Sequence, residues 1–114
     1  MIELQKEIDA KAVAPRITPA DIEANIVSEH YFTAGFAVTA TGVQAEGVNP
    51  ALDLLTFCVL VLYNGFTVTG ESACASPENF DAEIGRKIAR ENAINKVWPL
   101  MGYELRTKLA GSKA

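Results

Sequence analysis

Residues 54–72, LLTFCVLVLYNGFTVTGES, decide the fold. The run from Leu54 to Tyr63 is almost continuously apolar and rich in β-branched and aromatic residues, which indicates a buried strand. Asn64-Gly65 follows, a pair typical of a two-residue hairpin turn in which both central residues need a positive φ. Residues 66–72 then alternate apolar and polar side chains. The stretch predicts a β-hairpin whose first strand is buried on both faces and whose second has one polar face.

Helix signals lie on both sides of the hairpin. The sequence TPAD at 18–21 places a capping threonine, a first-turn proline and an early aspartate in order, which predicts a helix over about 19–30. SPE at 76–78 begins a second helix in the same way, and it extends to about Trp98, where Pro99 ends it. The expected fold is therefore α+β, a small antiparallel sheet built on a hairpin and packed by two helices.

The remaining segments carry weaker signals. Residues 1–15 read as a loose arm, in which MIELQKEI forms either a short strand or a helical turn. Residues 33–50 contain small residues and three glycines without a period, which predicts a loop with a possible strand at 36–39. Residues 110–114 read as a frayed tail. With 114 residues the chain has the size of one domain.

The second predicted helix has two contrasting faces. Bulky residues share one arc, namely Phe80, Ile84, Ile88, Ile94 and Trp98. Small residues share another, namely Ala82, Gly85, Ala89 and Ala93. Because a small-residue face accepts a close neighbour, the pattern predicts that this helix packs on the sheet and also on a second subunit. We therefore expect a homo-oligomer.

Cysteine and histidine usage predicts neither a metal site nor a disulfide. Cys58, Cys74 and His30 are too few to supply the roughly four ligands of a zinc site, and nothing in the N-terminal sequence marks secretion. His30 is interpreted as a polar residue that closes the first helix, with a general base as the alternative. No apolar stretch reaches the roughly 20 residues of a membrane span. We expect a protein of the cytoplasm in which it is made, without a cofactor.

Charge is distributed unevenly along the chain. The net charge of −4 argues against binding to duplex nucleic acid. Residues 1–81 carry three basic and eleven acidic side chains, whereas residues 82–114 carry seven basic and three acidic ones. Two interpretations are open: the two parts attract each other, within a subunit or between subunits, or the basic part holds an anion.

Binding chemistry is better supplied than catalysis. No Ser/His/Asp triad, glycine-rich phosphate loop or paired apolar carboxylates occur, so we do not expect an enzyme. Arg86 and Arg90 are four residues apart and project from one side of a helix, where two guanidinium groups match a pyrophosphate. Arg106 and Lys108 are candidates to close such a site from the tail.

Aromatic and small polar residues complete the candidate ligand site. Phe66, Phe80 and Tyr103 are candidates for stacking on a base, whereas Ser76 and Asn79 stand at a helix start, where free N–H groups can seat a phosphate. Alternatives remain for each group. In the alternative interpretation, Arg86 and Arg90 pair with Glu83 and Glu91 or face water. Phe80 would then anchor the core. The small polar residues Ser72, Ser76 and Asn79 would be turn and cap residues.

Two segments resemble a family of small tailed-phage and prophage proteins. These are residues 64–103, NGFTVTGESACASPENFDAEIGRKIARENAINKVWPLMGY, and residues 17–34, ITPADIEANIVSEHYFTA. Together they cover about half of the chain, as long ordered matches. Most members of that family have no assigned function.

That family also resembles the Thoeris anti-defence sponge proteins, which capture cyclic ADP-ribose-type signals. The resemblance implies a hairpin-bearing sheet, a long helix and a multimeric assembly with an anionic ligand bound between subunits. The expected function is an anti-defence protein that sequesters a nucleotide second messenger without hydrolysing it. The alternative is an accessory protein that binds and inhibits a host protein.

Overall fold

A computed structural model describes residues 2–11, 14–42 and 47–111 of the chain. In order, its elements are helix α1 (Ile2–Lys11), helix α2 (Pro19–Asn25), strand β1 (Ile26–Thr33), helix α3 (Ala34–Thr41), a 3-10 turn (Pro50–Leu54), strands β2 (Leu55–Leu62) and β3 (Thr67–Ala73), a second 3-10 turn (Pro77–Asn79) and helix α4 (Ala82–Ala110). The three strands form one antiparallel sheet in the order β1-β2-β3. The α+β fold with a small antiparallel sheet is confirmed.

The predicted hairpin is present, but its turn differs from the expected type. Gly65 has a φ of 88°, while none of the described non-glycine residues, Asn64 included, has a positive φ. The N–H of Gly65 donates to the carbonyl of Leu62, and the N–H of Leu62 donates to that of Phe66. The strands are therefore joined by a three-residue loop, 63–65, that ends in a left-handed glycine.

Strand β2 is buried on one face only. Its alternate residues Thr56, Cys58, Leu60 and Leu62 are buried beneath α4, and the residues between them are half-buried. On that opposite face Phe57 stacks on Phe32, with 5.4 Å between the ring centroids. The prediction of burial on both faces is wrong because the helices pack mainly against one side of the sheet.

The first predicted helix is shorter than expected. Thr18 and Asp21 form a complete capping box, as the sequence indicated. The helix nevertheless ends at Asn25, and residues 26–33 pair with β2 instead. This segment contains β-branched and aromatic residues, and pairing satisfies backbone groups along the free edge of β2. His30 therefore lies in a strand, and its predicted place at a helix end is wrong.

Helix α4 begins later and ends later than predicted. Asp81, rather than Ser76, caps it, since the Asp81 carboxylate accepts the N–H of Ile84 and the side chain of Ser76 makes no capping bond. Pro99 lies inside the helix. A proline removes one helical hydrogen bond, but Val97 and Met101 on either side of it both pack into the core, so the helix continues to Ala110.

The small-residue face of α4 packs against the sheet of its own chain. Gly85, Ala89 and Ala93 are buried there, and a side chain on Gly70 of β3 would collide with the backbone of Ala89 and Ala93. Ile84 and Ile88 from the predicted bulky arc are exposed instead. The contact assigned to a neighbouring subunit is thus made within the subunit, because two small surfaces let a helix lie directly on a strand.

Other segments also form more helix than predicted. Residues 34–41, expected in a loop with a possible strand at 36–39, form α3, which Thr33 caps and Gly42 ends with a φ of 66°. In the predicted loose arm 1–15, residues 2–11 form α1 and residues 12 and 13 lie outside the description. In the predicted tail, Ala110 belongs to α4, and residues 112–114 lie outside the described part.

The core lies between α4, α2 and one face of the sheet. Its buried apolar residues are Ile22, Cys58, Leu60, Leu62, Val68, Ala89, Ala93 and Val97. No described helix is both long and apolar enough to cross a membrane.

Candidate functional site

Two adjacent clefts open where α4 begins. The first, termed the β1-side cleft, measures about 160 Å³, and its lining includes Tyr31, Phe32, Thr33 and Arg86. The second, termed the β3-side cleft, measures about 240 Å³, and its lining includes Leu54, Asn79, Asp81, Ile84 and Ile88. Thr56 and Phe80 line both clefts and separate them.

Local sequence explains how Phe80 and Arg86 reach the clefts. The 3-10 turn at 77–79 and the Asp81 cap hold Phe80 immediately before the helix, where its half-buried ring forms the shared wall. Arg86 follows on the first turns of α4. Within the described part of the chain, Arg86 makes no ion pair or side-chain hydrogen bond. A guanidinium without an internal partner beside an aromatic wall is suited to binding an anionic ring compound.

Arg90, the second predicted ligand arginine, is occupied inside the protein. Its Nη2 and Nη1 donate to the two carboxylate oxygens of Glu23 at 2.6 and 3.0 Å, and its Nε donates to Glu29 at 2.9 Å. The hydrogen bonds from Arg90 lower the pKa of Glu23, and the bonds to Glu23, then to Glu29, raise the pKa of Arg90. Arg90 therefore ties α4 to α2 and β1.

For Arg90, this tie agrees with the first interpretation of the uneven charge. Through Arg90, the basic last part of the chain is joined to Glu23 and Glu29 of the acidic first part within one subunit. The ion pair observed within this part of α4 differs from the anticipated ones, because Glu83 pairs with Lys87 at 3.2 Å rather than with an arginine.

Phe66 and Arg106 lie away from the clefts. At a rise of 1.5 Å per residue, Arg106 stands about 30 Å along α4 from Arg86. Phe66 lines a different cleft, near the hairpin turn, together with Tyr63 and Leu100. The seven predicted ligand residues therefore do not form one site.

The remaining candidates are placed by short local bonds. Ser76 donates its hydroxyl to Glu78 at 2.6 Å, so it acts in the turn. Tyr103 is 78% exposed, and Lys108 lies 3.8 Å from Glu104. The predicted phosphate seat at a helix start is not favoured, because the Asp81 carboxylate already occupies the first turn of α4.

Among the lining residues of the clefts that sequence reasoning missed, Thr56 and Tyr31 carry polar groups that matter for a ligand. Thr56 is 3% exposed, and its hydroxyl has no hydrogen-bond partner among the described residues. The Tyr31 hydroxyl donates to Glu29 at 3.1 Å, and burial raises its pKa, so it remains a donor at neutral pH. The only sequence signal for Thr56 was a threonine inside an apolar strand. The strand pairing and the position of α4 are needed to show that its hydroxyl is buried between the two clefts.

The cysteines and His30 lie in separate surroundings. Cys58 is buried, and desolvation raises the pKa of its thiol, while the Cys74 thiol donates to the carbonyl of Ser76. The exposed His30 ring lies 3.1 Å from the Ser28 hydroxyl. Among the described residues no cluster of three or more histidine, cysteine or acidic side chains could hold a metal ion.

Comparison with known families decides the wider identity. The model of the Phage protein (N4 Gp49/phage Sf6 gene 66) family matches residues 17–109. The chain belongs to this family. The match extends from just before α2 to the last turn of α4, so it contains both clefts and leaves out α1. It confirms the resemblance to a phage protein family. No curated protein and no solved structure matches the chain.

Proposed function

We propose that this member of the phage family captures a nucleotide-derived signalling molecule of the cyclic ADP-ribose type in the host cytoplasm and holds it without hydrolysis, as an anti-defence protein. The observation that carries the proposal is the position of Arg86. Its guanidinium has no internal partner in the described chain and stands on a cleft walled by Phe80, Phe32 and Tyr31.

Charge distribution supports a phosphate at this position. The neighbouring cations Lys87 and Arg90 are paired with acidic residues, whereas Arg86 is not. A hydrogen bond to a charged group contributes about 1.5–3 kcal/mol when water is excluded, which corresponds to roughly a 10- to 100-fold change in affinity. Phe80, the aromatic wall shared by both clefts, would add stacking on a nucleotide base.

The groups that line the β1-side cleft are suited to holding a ligand. They are a guanidinium, threonine hydroxyls, a tyrosine hydroxyl and aromatic rings. Tyr31 has a raised pKa and already donates to Glu29, so it favours a fixed hydrogen-bonding role over that of a general base. Capture therefore agrees better with these groups than turnover does.

The experiment is a thermal-shift screen against cyclic ADP-ribose isomers and cyclic oligonucleotides. A ligand at 100 times its Kd should stabilise the protein by about 2.7 kcal/mol. The stabilising compound is then recovered after heat denaturation and its mass measured. Capture predicts an unchanged compound. A cleaved product would show an enzyme, and the absence of any stabilising compound in the screen would count against nucleotide capture.

A second candidate function is binding to a host protein. An apolar patch at the hairpin turn favours it, because Tyr63, Phe66 and Leu100 are all exposed and line one cleft. Contiguous exposed apolar residues often mark protein interfaces. A pull-down from host lysate with the wild type and with Phe66→Ser tests it. This function requires a partner that the wild type retains and the variant loses, and it requires no nucleotide.

A further inference from the structure

Resting on the proposed function, we infer that the β1-side and β3-side clefts hold one nucleoside phosphate between them. Its phosphate lies at Arg86 in the β1-side cleft, and its base lies in the β3-side cleft. The hydroxyl of Thr56, at the junction, bonds to the middle of the ligand and determines specificity.

The first support is the state of the Thr56 hydroxyl. It is buried and has no partner within the described residues, yet Thr56 lines both clefts. Gly85 faces it from α4, where an added Cβ would stand 3.1 Å from the hydroxyl oxygen. A buried polar group without a partner is costly, and such exceptions need an explanation. A ligand that crosses the junction would supply the missing partner.

The second support is the different charge of the two clefts. Arg86 lines only the β1-side cleft, whereas Asp81 lines only the β3-side cleft. Asp81 disfavours an anion on its side and, with Asn79, can accept hydrogen bonds from a base amine or ribose hydroxyl. The apolar walls Leu54, Ile84 and Ile88 suit a flat ring. The charges thus orient the ligand.

The third support is size. Ligand pockets in proteins usually measure about 300–1,000 Å³. Neither cleft reaches that range alone, at about 160 and 240 Å³, but the two together do. A ligand of nucleotide size therefore needs both clefts, and it must pass Thr56 and Phe80 to occupy them.

The first experiment measures calorimetric affinities for adenosine 5′-monophosphate. Thr56→Val should weaken binding about three- to tenfold, the effect of one lost hydrogen bond, whereas Thr56→Ser should retain it. Because Thr56→Val removes an unpaired buried group, the melting temperature of the free protein should stay equal or rise, which excludes misfolding as the cause. Wild-type affinity in Thr56→Val, or no binding of this probe to the wild type, would overturn the inference.

The second experiment uses adenosine and inorganic phosphate as separate probes. The two should bind at the same time, and adenosine 5′-monophosphate should displace both. Gly85→Ala, which narrows the junction, should weaken the nucleotide but leave inorganic phosphate unaffected. Mutual exclusion of the two fragments would show a single cleft. The proposed function fails separately, if no cyclic nucleotide stabilises the wild type in the thermal-shift screen or if a cleaved product is recovered from the complex.

Discussion

Arg90 offers a quantitative test of how the fold is held together. Its side chain is 27% exposed, and it joins Glu23 and Glu29, which are 55% and 39% exposed. Exposed ion pairs usually contribute about 0.2–1 kcal/mol each. The bidentate geometry with Glu23 and the partial burial of Arg90 place these two pairs towards the upper end of that range. We therefore expect Arg90→Ala to lower the free energy of unfolding by about 1–2 kcal/mol.

The assay is urea unfolding at pH 7, followed by thermal unfolding. For a domain of about 100 residues, 1 kcal/mol shifts Tm by about 4–8 °C, so a loss of about 1–2 kcal/mol should lower Tm by about 4–16 °C. Lys87→Ala serves as the matched control, because its pair with Glu83 is highly exposed and should change stability by less than about 0.5 kcal/mol. A variant as stable as the wild type would refute the assigned role of Arg90.

Acid should remove much of the difference in the free energy of unfolding between the wild type and Arg90→Ala. Hydrogen bonds from Arg90 hold the folded-state pKa of Glu23 below its usual 4.5. A lowered folded pKa means that the unfolded state binds protons more readily, so this stabilisation is present above about pH 4.5 and is lost as the pH falls through the folded value. The gap between wild type and Arg90→Ala should shrink when the experiment is repeated at pH 3. A gap of unchanged size there would point to lost packing instead.

Three further outcomes are expected. Cys58→Ala should lower the free energy of unfolding by ~1–2 kcal/mol, because the thiol is fully buried, and it should leave ligand binding intact. Cys74→Ala, at a half-buried position, should lower the free energy of unfolding by less in the same urea titration. Gly70→Val should prevent folding as followed by circular dichroism, because its side chain would meet the backbone of Ala89, and a folded variant would contradict the close helix–strand contact. Light scattering at micromolar concentration should return at least twice 12.2 kDa if the expected homo-oligomer forms; a mass of 12.2 kDa would exclude the oligomer.

The local parts of the fold were predictable from the sequence. The apolar run of β2, the glycine turn and the capping box at Thr18 each depend on residues within a few positions of one another. Their physical causes, β-branched packing, a left-handed glycine and a capped N–H group, act at short range. These parts all appear in the structure, although the turn at Asn64-Gly65 has one residue more than expected.

Predictions that depended on distant partners were less successful. Residues 26–30 continue the apolar spacing of a helix, but the free edge of β2 converts them to strand. Pro99 is a helix-ending residue in isolation, yet core contacts at Val97 and Met101 carry the helix past it. The small face of α4 indicated a close neighbour correctly, and only the three-dimensional structure shows that this neighbour is Gly70 of the same chain.

The candidate site shows the same division. Arg86 and Arg90 are equivalent by spacing, but a carboxylate 67 positions away in the chain occupies Arg90 and leaves Arg86 without a partner. Thr56 gave only a weak signal, as a threonine inside an apolar strand, because its unpaired hydroxyl results from packing between β2 and α4. Sequence identified the residue types, and tertiary contacts decided which of them are available to a ligand.

The central claim is that Arg86 holds the phosphate of a captured nucleotide. Its most direct test is a calorimetric titration of the wild type, Arg86→Ala and Arg106→Ala with the stabilising cyclic nucleotide from the thermal-shift screen. Arg106 is an exposed arginine of the same helix, about 30 Å away along its axis. The account predicts that Arg86→Ala weakens binding at least tenfold with an unchanged melting temperature, while Arg106→Ala binds like the wild type. Equal affinity of Arg86→Ala and the wild type would contradict it.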